Sequence, residues 1–530
     1  MEKDGSVLQG TILLSLAAIF CKILGAAYRV PLVRLIGDEG IGLYQTAYPL
    51  YLVFLGLSTA GMPLAISRLV AERTALKDGE GVRRIFRLAL VILGGLGLLG
   101  GAVLFVGARF FALRFVADPR AYPVLISLAP AVPLMSLTAA FRGFFQGLRE
   151  MGPPALSQLL EQIVRVGTLL VLAYLLLPCG LAWAAAGAAF GATAGGAAGL
   201  IFLLSHYRLH PPKILRFSDG RRPPSYLALA RRLMAYALPI AFGTLLYPLM
   251  QSLDSFLVPT RLQALGYPVS EATALLGRLG NAWAVIYVPT TITGALATSL
   301  LPAVAEAWTR RIRLLAHRQI RQALRLAVFL CLPGAAGIHT LADEICLVLY
   351  GTASAAPMLR SLAPAAFFLG LQGVCAGALQ GMGRPFAPVG SRGLGFLFKA
   401  WLTVVLLPIL GPRGAALGSV AGTALTAALS LVILARNIAL PPGFFLTIFR
   451  STLAGGMMLF ALRLGLQYPL SLQFSPFFRL LFFLPLGAVL FGLGLWLTGG
   501  VEPGDVELLR RLGKLGSDVF RGRGSGRRGG

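Results

Sequence analysis

LAPAVPLMSLTAAFRGFFQG (Leu128–Gly147) and LAPAAFFLGLQGVCAGALQG (Leu362–Gly381) are two versions of one segment, 234 residues apart. Both are almost wholly apolar and have about the 20 residues that a helix needs to cross a hydrocarbon core. Leu128-Ala129-Pro130-Ala131 recurs as Leu362-Ala363-Pro364-Ala365, and Gly143 with Gln146-Gly147 recurs as Gly377 with Gln380-Gly381. Val70-Ala71-Glu72 returns at the same offset as Val304-Ala305-Glu306, and Gly10-Thr11 returns one residue short of it as Gly243-Thr244. Three matches at one offset, spread over two helices, point to a duplication.

Working outward from this pair, the apolar runs predict helices over 8–30, 41–63, 88–108, 121–145, 155–177, 181–205, 232–258, 273–303, 322–342, 358–380, 387–410, 414–435, 447–469 and 477–498. The expected fold is therefore all-α and polytopic, with about 14 transmembrane helices. Six helices fill each repeat. Six is even, so both copies begin on the same side of the membrane and are related by an axis along its normal. Parallel repeats of this kind build alternating-access transporters. The expected organisation is an N-lobe over 1–206, a basic linker over 207–231, a C-lobe over 232–440, a helix pair over 441–500 and a basic tail over 501–530.

Composition agrees. Of the 530 residues 57% are hydrophobic and only 13% charged, too few charges to cover a soluble domain of this size. The 33 prolines and 64 glycines sit inside the apolar runs, where a membrane bundle tolerates them. The net charge of +27 has two readings. One is nucleic-acid binding. The other is the accumulation of Lys and Arg in cytoplasmic loops. The charge lies between apolar runs, as in Arg68, Arg73, Lys77, Arg83, Arg84 and Arg87, or Arg310, Arg311, Arg313, Arg318 and Arg321. That favours the second reading, with no nucleic-acid partner, an inner-membrane location and both termini cytoplasmic. Arg109, Arg114 and Arg120 fit this scheme poorly, because they fall on the outside. The RGRGSGRRGG tail is expected to rest on anionic lipid. The first apolar run follows charged Met1–Val7 and lacks a cleavage site, so it is read as a retained helix.

Five isolated cysteines form neither a metal-ligand pattern nor a disulfide framework, and no cofactor is expected. HExxH, P-loop and GxSxG motifs are absent from the sequence, and no loop is long enough for a catalytic domain, which argues against an enzyme.

Ionisable residues inside the spans are site candidates, because hydrocarbon makes them expensive. Lys22 and Arg29 share a face of the first helix. Arg142 lies on the fourth, Arg278 on the eighth and Lys399 on the eleventh. Glu161 and Arg165 are four residues apart and so able to neutralise one another. Asp254 is the lone mid-helix acid of its half, read as a partner for a cavity cation. Lys22, Arg29, Arg142, Arg278 and Lys399 are the expected substrate-binding residues, with Glu161, Arg165 and Asp254 as their charge partners. Such a cationic set suits a phosphate or diphosphate.

The stretch KILGAAYRVPLVRLIGDEGIGLYQTAYPLYLVFLGLSTAGMPLAISRLVAE (Lys22–Glu72) resembles the stage V sporulation protein B group. So do LDSFLVPTRLQALG (Leu253–Gly266) and VPTTITGALATSLLPAVAEA (Val288–Ala307). That group belongs to the multidrug/oligosaccharidyl-lipid/polysaccharide (MOP) superfamily and is close to the MurJ-type lipid II flippases. The resemblance implies two six-helix lobes plus a terminal pair, and a rocking cycle that moves a polyprenyl-diphosphate-linked sugar outward, including for the spore cortex. It also implies roles in substrate binding for Arg29 and Arg278. Relatives usually carry an acid where the second helix begins; here that place is read as IGLYQ, without one. The expected partners are a lipid-linked oligosaccharide, membrane lipids and cell-wall synthesis enzymes. Two other readings are a cation-coupled multidrug exporter and a non-transporting scaffold for wall synthesis.

Overall fold

The computed structural model describes residues 14, 16–18, 20–59, 61–216, 225–438, 443–467 and 474–500. Part of the basic linker, the basic tail and Gly10-Thr11 lie outside the described residues. The described chain is helical throughout its length. We number the helices α1 (Arg29–Thr59), α2 (Met62–Ala75), α3 (Gly79–Phe110), α4 (Tyr122–Leu128), α5 (Ala131–Gly147), α6 (Gly152–Leu176), α7 (Leu181–Leu209), α8 (Tyr226–Ala264) and α9 (Val269–Thr309). There follow α10 (Arg313–Thr340), α11 (Ala342–Tyr350), α12 (Ala356–Leu362), α13 (Pro364–Gly381), α14 (Phe386–Leu410), α15 (Pro412–Ala435), α16 (Phe444–Gln467) and α17 (Pro476–Leu497).

Among the described residues eleven helical stretches are long and apolar enough to cross a membrane, or twelve when the bent pair α12 and α13 counts as one. One of them, Leu16–Ala75, is 60 residues long. At about 1.5 Å per residue that is enough for more than one crossing. One break within it is Gly37, at φ 67° and ψ −176°. Only glycine adopts that conformation without strain. The second helical stretch therefore starts at Asp38, three residues before the expected 41, and its first turn carries Asp38 and Glu39. The expectation that no acid opens the second helix is corrected here. The GDEG run looks like a loop in sequence, yet a one-residue kink leaves room for none.

The duplication is visible in the packing. In both copies the Leu-Ala-Pro motif interrupts a helix, between α4 and α5 and between α12 and α13. A Cβ on Gly143 would lie 2.7 Å from the Pro63 carbonyl oxygen, and one on Gly147 2.7 Å from that of Ser67. In the second copy the same atoms on Gly377 and Gly381 would lie 2.6 Å from Ala297 and 2.7 Å from Leu301 carbonyl oxygens. Every residue in the second set is its counterpart plus 234. These glycines exist because α5 on α2, and α13 on α9, touch backbone to backbone. At another equivalent crossing the sizes are exchanged: Gly97 meets Ser136, whereas Gly370 meets Cys331.

Packing divides the chain into two units. The first comprises Met1–Ala284, Leu349–Met358 and Gly393–Gly422. Its core joins Met62, Ile66 and Leu69 of α2 to Phe86 of α3, Phe141, Phe144 and Phe145 of α5, and Leu229 and Leu233 of α8. The second comprises Val285–Val348, Leu359–Arg392 and Thr423–Gly530. Its core is built by Val304, Leu324, Val328, Val374, Leu379, Leu434 and Phe444. There the buried Arg325 donates to Thr447 Oγ1 and to the Gly500 carbonyl, which ties α10 to α16 and to the end of α17.

Candidate functional site

The charged residues of the first unit sort into pairs that cancel and cations that do not. Arg142 on α5 donates to Glu161 Oε2 at 2.8 Å and to Ser157 Oγ at 2.9 Å, both on α6. The two charged side chains are only 15% and 12% exposed. Glu161 is thus taken from across the helix pair. The i,i+4 bridge to Arg165 expected from spacing does not form among the described residues. Lys399 Nζ on α14 donates to Asp254 Oδ2 on α8 at 2.5 Å, with the Trp283 ring centroid 5.6 Å away. Asp254 is thus bonded to a cation, and that cation is Lys399.

Arg278 on α9 is also neutralised. Its Nε donates to Asp38 Oδ2 at 3.1 Å. Asn281 Nδ2 donates to Asp38 Oδ1 at 3.1 Å, and the Ser354 hydroxyl donates to the same carboxylate. Beside it, fully buried Asp118 accepts from Arg120 and from Thr273 Oγ1 at 2.8 Å, while Arg120 also bonds Glu39. That network is why Arg120 can sit where loop charges fit poorly: two carboxylates cancel it. Neither Asp38 nor Asp118 stands out in sequence, because both occur in short polar runs that read as turns.

The helices here meet at backbone distance. A Cβ on Gly42 would lie 2.0 Å from the Thr273 carbonyl oxygen, and one on Gly277 1.9 Å from that of Asp38. Residues 38, 42 and 45 of α1 thus face 273, 277 and 280 of α9, a crossing that only small residues permit.

Two of the candidate arginines keep their charge. Arg29 Nε donates to the side-chain oxygen of Asn281 at 3.3 Å. The Gln45 amide, in the orientation that satisfies both its ends, accepts from Arg29 and donates to the Leu276 carbonyl. Arg165 Nη2 donates to the Tyr48 hydroxyl at 2.6 Å. Neither guanidinium has a carboxylate partner among the described residues. Lys22 is exposed and likewise unpaired among them. The structure therefore links Arg29 to Arg278 through Asn281 and Asp38, and it separates Arg142 and Lys399 into closed pairs.

Residues 7–308 match the polysaccharide biosynthesis protein family. The chain belongs to that family. It is 32% identical to stage V sporulation protein B of Bacillus subtilis (strain 168) over 79% of this chain and 81% of the relative. It is 29% identical to the lipid II flippase MurJ of the same organism, over 79% of this chain and 80% of that one. Its fold is that of a solved MurJ in an inward closed conformation, with a TM-score of 0.67, 15% identity and coverage of 91% of this chain and 98% of that one. An inward-facing MATE multidrug transporter of the MOP superfamily follows, at a TM-score of 0.60, 17% identity and 81% and 98% coverage. The chain is a multi-pass membrane protein of the stage V sporulation protein B and MurJ-like group, and the relatives with named activities are transporters and flippases, not enzymes.

Proposed function

We propose that this protein is a flippase that moves a polyprenyl-diphosphate-linked sugar to the outer face of the membrane, with a peptidoglycan precursor of the lipid II type as its first substrate. The observation that carries the reading is Arg29. A guanidinium at the end of a membrane-spanning helix is held by two amide oxygens and, among the described residues, by no carboxylate. Amides orient the planar fork without cancelling its charge, so it is preorganised for a bidentate anion such as a diphosphate. Family membership and the two Bacillus relatives support the same substrate class. With both termini cytoplasmic, the six-helix halves over 1–206 and 232–440 alternate access while the polyprenyl tail stays in lipid. A cation-coupled exporter needs an available acid in the membrane, and Asp254 is already bonded to Lys399.

The test is lipid II translocation in proteoliposomes. Arg29→Gln is expected to lower the rate by about 10- to 100-fold, the equivalent of one charged hydrogen bond. Arg29→Lys should retain part of it. Wild-type protein that moves neither lipid II nor another polyprenyl-diphosphate sugar would reject the proposal.

A further inference from the structure

Arg165 and Lys399 are 234 residues apart, the offset of the duplication. Their surroundings repeat as well. A Cβ on Gly195 of α7 would lie 2.6 Å from the Glu161 carbonyl oxygen and 2.8 Å from Arg165 Cβ. A Cβ on Gly422 of α15 would lie 2.7 Å from the Gly395 carbonyl oxygen and 2.5 Å from Lys399 Cβ. Each cation is thus set on the equivalent helix of its repeat and clamped by a glycine of the next helix.

Their charges differ in fate. Lys399 is cancelled by Asp254. Arg165 has Glu161 four residues before it, but Arg142 holds that carboxylate. What Arg165 has is a phenol. It bonds the Tyr48 hydroxyl, and its guanidinium carbon lies 5.3 Å from the Tyr48 ring centroid. Tyr48 is in turn stacked on Tyr44, with centroids 5.2 Å apart, and packed against Tyr51 at 5.5 Å. Phenols and ring faces hold and aim a cation but do not neutralise it. A charge kept uncompensated in a membrane span is expensive, and is retained where an anion comes to meet it. Arg29 is held on Gln45 and Arg165 on Tyr48. These anchors are three residues apart on α1, about 4.5 Å along its axis, so the two uncancelled guanidinium groups hang from adjacent turns of one helix.

We infer that Arg165 is a second anion-binding residue, which takes a phosphate or carboxylate oxygen of the transported headgroup beside Arg29, and that Lys399 is its neutralised counterpart in the other repeat. The identity of the headgroup rests on the flippase reading; the anion site does not.

The test uses purified full-length protein and inorganic pyrophosphate as the probe, read as a shift in melting temperature. Pyrophosphate is expected to stabilise the wild type. Arg165→Gln should lose most of that shift, Arg165→Lys should keep much of it, and the charge-compensated Asp254→Asn/Lys399→Met variant should keep it in full. Binding of undecaprenyl diphosphate, bare and glycosylated, is then measured on the same proteins by native mass spectrometry. About tenfold weaker binding of the bare lipid by Arg165→Gln assigns the phosphates as the anion. A defect confined to the glycosylated lipid assigns a carboxylate of the glycan moiety. Folded Arg165→Gln protein that responds to pyrophosphate and binds both lipids as the wild type does overturns the inference, as does a wild type that responds to none of the three. A pyrophosphate response that depends on Arg165, with neither lipid bound by the wild type, keeps the anion site and removes the flippase reading.

Discussion

Gly277→Ala should destabilise the protein by roughly 3–5 kcal/mol, against about 1 kcal/mol for Gly280→Ala, three residues further along the same helix. The difference lies in what each new methyl meets. At Gly277 it would lie 1.9 Å from the Asp38 carbonyl oxygen and 2.8 Å from the Gly42 nitrogen, both backbone atoms. Backbone can yield only if α1 and α9 separate. Separation lengthens the bonds from Arg278 and Asn281 to Asp38, whose side chain is only 14% exposed. A buried carboxylate then loses its partners in addition to the steric cost. At Gly280 the nearest atoms are the end of the Gln45 side chain, 1.8 Å away. That side chain can rotate aside, and the main consequence is to release Arg29 from one of its two amide supports. Thermal unfolding in detergent gives the stabilities, and lipid II transport gives the function. Gly277→Ala is expected to lower both, and Gly280→Ala mainly the second. Wild-type melting of Gly277→Ala would mean that the two helices do not cross at backbone distance. Gly42→Ala tests the same contact from the other side, with its methyl 2.0 Å from the Thr273 carbonyl oxygen.

The spans and the duplication are legible in the sequence because both rest on local features. Hydrocarbon thickness fixes run length, and a fixed offset exposes the repeat. The offset even carries tertiary information, since Pro63, Ser67 and Val70 against Gly143 and Gly147 map one for one onto Ala297, Leu301 and Val304 against Gly377 and Gly381. Site chemistry is legible only as a set of candidates. Spacing pairs Glu161 with Arg165, because four residues bring two side chains to one helix face. Which of two arginines a carboxylate takes is decided by a neighbouring helix, and Arg142 reaches it first. The partner of Lys399 lies 145 residues away, beyond any spacing rule. Asp38 is hidden for another reason. Polar residues beside glycine read as a loop, and only the left-handed Gly37 turns that run into the first turn of a helix, where an acid is favoured by the helix dipole. Charge composition thus announces a cationic interior. The fold then cancels Arg142, Arg278 and Lys399, and the residues of interest are those left over.

The Asp254–Lys399 pair should behave as a unit. Lys399→Met alone, or Asp254→Asn alone, is expected to cost about 3–5 kcal/mol, whereas the double variant should return to near wild-type stability. The side chains are 15% and 19% exposed, so either single change strands a polar or charged group in a place that water hardly reaches. Removing Lys399 also takes a cation from the Trp283 ring, a smaller loss of about 0.5–2 kcal/mol that the double variant does not recover. A double-mutant cycle on the melting of the four proteins should therefore give a coupling energy of several kcal/mol. Additive single effects would mean that the two groups do not share a bond. The equivalent position in the other repeat provides the contrast. Arg165→Met leaves behind a tyrosine hydroxyl and no buried carboxylate, so its cost should be about 1–2 kcal/mol. If a cation that contributes little to stability nevertheless governs the response to an anion, while its twin contributes much to stability and nothing to that response, the two copies of one ancestral position have divided structure and binding between them.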